Sequence, residues 1–196
     1  MQTSSSLTTV LALADRVSTP LVLLSVDGHS ASGKTSLARA VLAARPGATL
    51  VHTDDFYRPM EADVRAALDA AGGYAGYYDW QRLEAELLRP LRSGHWARFR
   101  RYDWDRNELD DWSEIGPTGL VVVEGCYSAR PELRAWYDAV VLVVSSPAER
   151  ARRQHKRNDA SPEWLARWDA AERHYMEEYR PEAYADAVVS GESPAA

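Results

Sequence analysis

The residues Gly28-His-Ser-Ala-Ser-Gly33-Lys34-Thr35 fit the spacing G-x-x-x-x-G-K-[ST] at every constrained position. Glycines in such a loop let the chain curl so that successive backbone N–H groups converge on phosphate oxygens. The lysine brings a point charge to the outer phosphates, and the hydroxyl after it suits a magnesium ion. Gly28, His29, Ser30, Ala31, Ser32, Gly33, Lys34, Thr35 and Ser36 are therefore expected to hold ATP with Mg²⁺. Carboxylates follow at telling places. Asp54 is expected to take the proton of an acceptor hydroxyl, with Asp55 at the metal directly or through water; the competing role for the pair is to cap a turn. Glu124 closes an apolar run, where an unpartnered acid would be costly, and is expected beside the metal with Thr35. Cys126 reads as a small packed residue rather than a nucleophile.

These residues need elements to position them. Leu21–Val26, bounded by Pro20 and Gly28, reads as a strand covered on both faces, and Lys34–Ala44 as the helix after it. That helix turns its positive dipole end toward the loop. Thr49–His52, Leu120–Glu124 and Ala139–Val144 are further strands, and Ala187–Val189 a short last one. Helices are expected over Leu7–Val17, Glu61–Ala70, Gln81–Arg89 (stopped by Pro90), Pro147–Arg157 and Pro162–Tyr179. Gly72–Gly76 is expected as a loop, and Trp96–Tyr102 as a β-excursion. Strands alternating with helices give an α/β domain, a three-layer αβα sandwich about a parallel sheet. The acids at the carboxyl ends of strands lie where open α/β sheets bind ligands.

Composition bounds the rest. A chain of 196 residues, 45% hydrophobic and 27% charged, fits one globular domain. The net charge of −6 argues against nucleic acid as a partner, although Arg98, Arg100 and Arg101 cluster, as do Arg150, Arg152, Arg153, Lys156 and Arg157. No run reaches the roughly 18–20 apolar residues of a membrane span. The first residues lack the layout of a secretory leader, and the single cysteine suits a reducing compartment, so the expected location is cytoplasmic. Self-association is left open.

The order of motifs extends well past the loop. After Gly28–Thr35 come Thr53-Asp-Asp-Phe-Tyr-Arg58, Tyr78-Asp-Trp80, Tyr102-Asp-Trp104, Val123-Glu-Gly125, an arginine-rich helix and Tyr184-Ala-Asp-Ala-Val-Val189. From about residue 21 to 190 the chain resembles the uridine kinase and nicotinamide riboside kinase family of P-loop kinases. That resemblance implies a P-loop NTPase fold with five parallel strands in the order 2-3-1-4-5. It also implies a substrate-binding excursion over about 55–115 and a lid over about 150–162. It implies Asp54 as base, Tyr57, Asp79, Tyr102 and Asn107 around the acceptor, and Arg153 and Arg157 closing over the phosphates. Asp79 would read a ribose diol, since a carboxylate accepts two O–H bonds at once; as a residue type it would serve equally as a helix N-cap. The chain departs from uridine kinases after Tyr102, where Asn107 stands nearest the place of a uracil-reading histidine. Trp80, Trp104 and Trp112 offer flat faces for a base, or packing for a lid. The expected activity is ATP-dependent phosphorylation of the 5′-hydroxyl of a uridine- or cytidine-like riboside. The alternatives are a kinase of nicotinamide riboside, pantothenate or a natural-product alcohol, and a non-catalytic nucleotide sensor.

Overall fold

The computed structural model describes residues 2–157 and 161–192. Five parallel strands form the central sheet: β1 (Leu21–Asp27), β2 (Thr49–His52), β5 (Gly119–Glu124), β6 (Ala139–Val144) and β7 (Ala187–Ser190). They lie side by side as β2-β5-β1-β6-β7, which, counting these five alone, is the expected 2-3-1-4-5. Strands β3 (Ala97–Asp103) and β4 (Glu108–Ile115) form a separate antiparallel hairpin with a register shift between Arg100 and Tyr102.

The near-continuous apolar runs make sense once both sheet faces are seen to be covered. Leu24, Val26, Val122, Val141 and Val143 pack beneath α1 (Gln2–Ala14) and α2 (Lys34–Ala44). Leu23, Val51, Val121 and Val123 point the other way, against Leu83, Leu87, Leu88 and Leu91 and the hairpin residues Ala97 and Phe99. A third cluster is almost wholly aromatic. It joins Tyr57, Tyr77, Tyr78, Tyr102 and Tyr127 to Trp168 and Tyr175 of α8 (Pro162–Tyr179).

Four local expectations are corrected. Helix α1 begins earlier than Leu7 and ends at Ala14, because its first turns carry serines and threonines that show no apolar period. The Gly72–Gly76 stretch is helical, within α4 (Ala70–Gly76) after α3 (Ala62–Ala67), with Asp69 Oδ1 accepting from the Gly72 N–H at 2.7 Å. Its glycines serve close packing: a Cβ on Gly73 would lie 2.7 Å from the Tyr77 ring and 3.1 Å from Ala171 of α8. Pro90 does not stop its helix. Helix α5 (Trp80–Arg82) widens into a π-helical stretch, Leu83–Leu88, and runs on as α6 (Arg89–Arg92). The wider π turn relieves the clash and missing N–H that a proline brings to a regular helix. The β-excursion is a full hairpin, its second strand being too polar to announce itself. Helix α7 (Pro147–Arg157) forms as expected; residues 158–160 of the anticipated lid lie outside the described residues.

Candidate active site

Strand β1 ends in Asp27, fully buried, whose carboxylate organises the turn above it. It accepts from Gly28 N (2.6 Å), Tyr127 N (3.1 Å), Ala129 N (2.9 Å) and the Tyr175 hydroxyl (2.7 Å). Burial raises its pKa, and these hydrogen bonds oppose the rise. The loop then passes close over β6. A Cβ on Gly28 (φ 141°) would sit 2.3 Å from the Val143 carbonyl oxygen, so only glycine fits. Gly33 adopts φ 103° just before α2 opens with Lys34.

Lys34 is buried, and its Nζ donates to the His29 carbonyl at 2.8 Å. Burial disfavours its charge, yet the acidic groups around it, Glu172 and Glu124 among them, hold its pKa above the ordinary lysine value. The Thr35 hydroxyl donates to Glu124 Oε1 at 3.0 Å, and His52 Nδ1 lies 2.5 Å from the same oxygen. Burial works to raise the Glu124 pKa, but His52, Lys34 and Thr35 outweigh it and keep the group below its usual range. A hydroxyl and an ionised carboxylate side by side are hard oxygen donors that fit Mg²⁺, which takes one or two protein oxygens and completes its shell with phosphate and water. Asp55 has a backbone partner of its own. Its Oδ2 accepts from His52 N at 3.2 Å and so caps the Thr53–Phe56 turn.

These groups open onto a cleft of about 660 Å³ that also contains Asp54, Tyr78, Trp104, Arg153, Arg157, Trp164 and Trp168. Asp54 follows β2, as register with β5 requires: His52 lies opposite Glu124, which places both acids at one end of the sheet. Its Oδ1 accepts from the Tyr78 hydroxyl at 2.7 Å. Asp54 is exposed at the cleft, yet protein crowds its carboxyl on the inner side. That desolvation raises its pKa, the Glu124 charge adds to the rise, and Tyr78 and Lys34 oppose it. Arg153 is drawn down onto the loop, donating to the Ala31 carbonyl (3.0 Å) and the Gly191 carbonyl (2.7 Å).

The structure thus brings together Ser30, Ala31, Gly33, Lys34, Thr35, Ser36, Asp54, Glu124, Arg153 and Arg157. The other expected acceptor residues, Tyr57, Asp79, Tyr102 and Asn107, are not among those lining this cleft. Tyr57 is fully buried, its ring 4.5 Å from that of Trp104. The Tyr102 hydroxyl donates to Asn107 Oδ1 at 2.7 Å, while Asn107 Nδ2 donates to the Met60 carbonyl and Arg65 reaches Oδ1. Asp79 caps α5, its Oδ1 accepting from Arg82 N at 3.2 Å and facing Arg58 at 3.4 Å. Of the three tryptophans, Trp104 borders the cleft, Trp112 lies under Arg98, and Trp80 lies under Arg130. Sequence reasoning missed Asp27, His52, Tyr78, Trp168 and Glu172. The signal for Glu172 was a charge among the apolar positions Trp164, Trp168, Ala171 and Tyr175 of one helix face.

Human nicotinamide riboside kinase 2 is 24% identical over 174 residues, covering 85% of this chain and 71% of that protein. The mouse protein of the same name is 25% identical over 139 residues, covering 69% and 67%. Among solved structures, a Bacillus stearothermophilus protein described as a possible uridine kinase superposes with a TM-score of 0.75 at 21% identity, covering 97% of this chain and 100% of that one. D-glycerate 3-kinase from Cryptococcus neoformans superposes with a TM-score of 0.56 at 17% identity, covering 92% and 87%. These two share the fold. The family model of the phosphoribulokinase / uridine kinase family matches residues 23–160, and the chain, a small-molecule kinase, belongs to that family.

Proposed function

We propose that this kinase uses Mg·ATP to phosphorylate the 5′-hydroxyl of a ribosyl small molecule. The observation that carries this reading is the placement of Asp54. A carboxylate held by Tyr78 opens onto the same cleft as the phosphate loop, Thr35 and Glu124. Asp54 accepts the proton of the acceptor hydroxyl as its oxygen bonds to the γ-phosphorus and the bond from that phosphorus to ADP breaks. Lys34 leaves the His29 carbonyl for the outer phosphates. Thr35 and Glu124 would hold Mg²⁺, which would supply charge neutralisation for the transferring group. Arg153 and Arg157 line the cleft and exclude water from the γ-phosphate.

In this reading Asp79 takes the ribose diol through its second oxygen. Oδ1 does the capping, and Oδ2 is left, among the described residues, to accept from a vicinal diol. Trp104, half exposed at the cleft, gives a base a stacking face, while Tyr57, Tyr102 and Asn107 hold that face in place. A second reading, a non-nucleoside alcohol as acceptor, is favoured by one observation: Met60 and Arg65 already occupy the Asn107 amide, leaving it less able to read a base. In either case Asp54→Asn lowers kcat by about 10²–10⁴-fold, the usual worth of a general base, and leaves Mg·ATP affinity unchanged. Wild-type turnover in that variant rejects the assignment of Asp54.

A further inference from the structure

The carboxylate of Glu172 has four partners at the phosphate loop, yet the phosphoryl-transfer scheme above does not use it. It projects from α8 and is only 2% exposed. Its Oε1 accepts from the Ser30 backbone N–H at 2.9 Å, from Trp168 Nε1 at 2.6 Å and from Cys126 Sγ at 3.0 Å. Its Oε2 lies 3.1 Å from His29 Nδ1. Trp168 Nε1 is shared with the Ser30 hydroxyl, 2.7 Å away. A carboxylate so deeply buried is tolerable only because donors surround it and the Lys34 charge is near.

What these bonds hold is a strained turn. Ala31, the residue after Ser30, sits at φ 60°, a left-handed conformation that is costly for a residue with a Cβ. Such a conformation persists only where its surroundings over-determine it. Two clamps do so here: Glu172 fixes the amide N–H of Ser30 on one side of Ala31, and Arg153 takes the Ala31 carbonyl on the other. Both clamps come from the last two long helices, far away in sequence.

We infer that Glu172 is a positioning residue for nucleotide binding: it holds the leading arm of the phosphate loop, His29 to Ala31, in the shape that receives a nucleoside triphosphate. The inference rests on the reading of that loop as the ATP site. Trp168 stacks on Tyr77 and meets Tyr78 edge-on, and Tyr78 holds Asp54, so the same anchor ties the nucleotide side of the cleft to the acceptor side.

The test measures Mg·ATP binding by calorimetry without any acceptor, so that it does not depend on which alcohol is the substrate. Glu172→Gln keeps the volume but sets an NH₂ group against surrounding donors. We expect its Mg·ATP dissociation constant to rise about tenfold, the effect of losing one hydrogen bond to a charged acceptor. KM for ATP should rise in parallel and kcat change by less than about threefold, a split that general loosening of the fold does not produce. Arg173→Ala, which breaks only the exposed pair with Asp169 on the same helix, should change neither. If Glu172→Gln does not fold, Glu172→Asp takes its place. It keeps the charge but withdraws it by one methylene, and its ATP affinity must fall as well. A folded variant of either kind that binds Mg·ATP within about twofold of wild type overturns the inference. A wild-type protein that does not bind Mg·ATP would instead reject the reading of the loop, and this inference with it.

Discussion

Removing a single hydroxyl, in Tyr78→Phe, tests whether Asp54 is the base and whether its environment is tuned for that role. The Tyr78 hydroxyl is a 2.7 Å donor to Asp54 Oδ1, and it opposes the rise in pKa that desolvation imposes on the carboxyl. The ring stays in place, because Tyr78 is buried against Tyr57, Tyr127 and Trp168. A hydrogen bond to a charged group is worth about 1.5–3 kcal/mol. Asp54 faces water in the cleft, so solvent replaces part of that, and about 1 kcal/mol is the net loss of the ionised form. The sign follows: without Tyr78 the protonated form gains, the Asp54 pKa rises further, and the acid limb of the rate profile moves to higher pH. On that limb 1 kcal/mol is roughly a fivefold lower kcat/KM, shrinking toward wild type on the plateau where Asp54 is ionised in both proteins. The assay is kcat/KM against pH for the two proteins under saturating Mg·ATP. An acid limb that stays put, or moves to lower pH, refutes the link between Tyr78 and the base.

Other outcomes follow from the same contacts. Gly125 has φ 144°, and a Cβ there would sit 1.8 Å from Thr53 Oγ1, so Gly125→Ala should cost about 3 kcal/mol and lower Tm by roughly 6–12 °C. Gly47→Ala is the control: at φ 89° it meets nothing within 4 Å, and thermal melts should show only about 1 kcal/mol of backbone strain. Burial favours neutral Glu172, but His29, Lys34, Ser30 and Cys126 outweigh it and hold its pKa at about 2, well below the 4.5 of an ordinary glutamate. Its contribution, about 3 kcal/mol, is complete above pH 4.5 and is lost as pH falls toward 2. Urea midpoints between those limits should therefore fall less steeply with pH in Glu172→Gln than in wild type; equal slopes reject the role of this carboxylate in acid stability.

How much of this was legible in the sequence depended on how local each cause is. The phosphate loop and α2 could be read because their chemistry is contained in consecutive residues, from Gly28 to Ala44. The five sheet strands could be read because both faces are covered, which makes β5 and β6 continuous apolar runs. Helix α4 could not, since its glycines answer to Tyr77 and to Ala171 on a distant helix. Pro90 misled because a π turn, which no local pattern announces, absorbs it. Asp54 and Glu124 stood out from their positions at strand ends, and β2 and β5 bring both to one cleft. Glu172 meets Ser30 across 142 residues of sequence, and only its place on an apolar helix face hinted that it turns inward. Asp79 shows the limit of residue type: the sequence allowed a cap or a diol reader, and its two oxygens leave room for both.

Whether Asp54 and the phosphate loop serve phosphoryl transfer to a ribosyl hydroxyl is decided by the mass of the products. The protein is incubated with Mg·ATP and a panel of ribosides, their 2′-deoxy forms and non-nucleoside alcohols, alongside Asp54→Asn. A riboside gaining one phosphate, with the 2′-deoxy form much poorer and the variant nearly silent, is the predicted result. Phosphorylation confined to a non-nucleoside alcohol, or ADP formed with no phosphorylated acceptor at all, would contradict it.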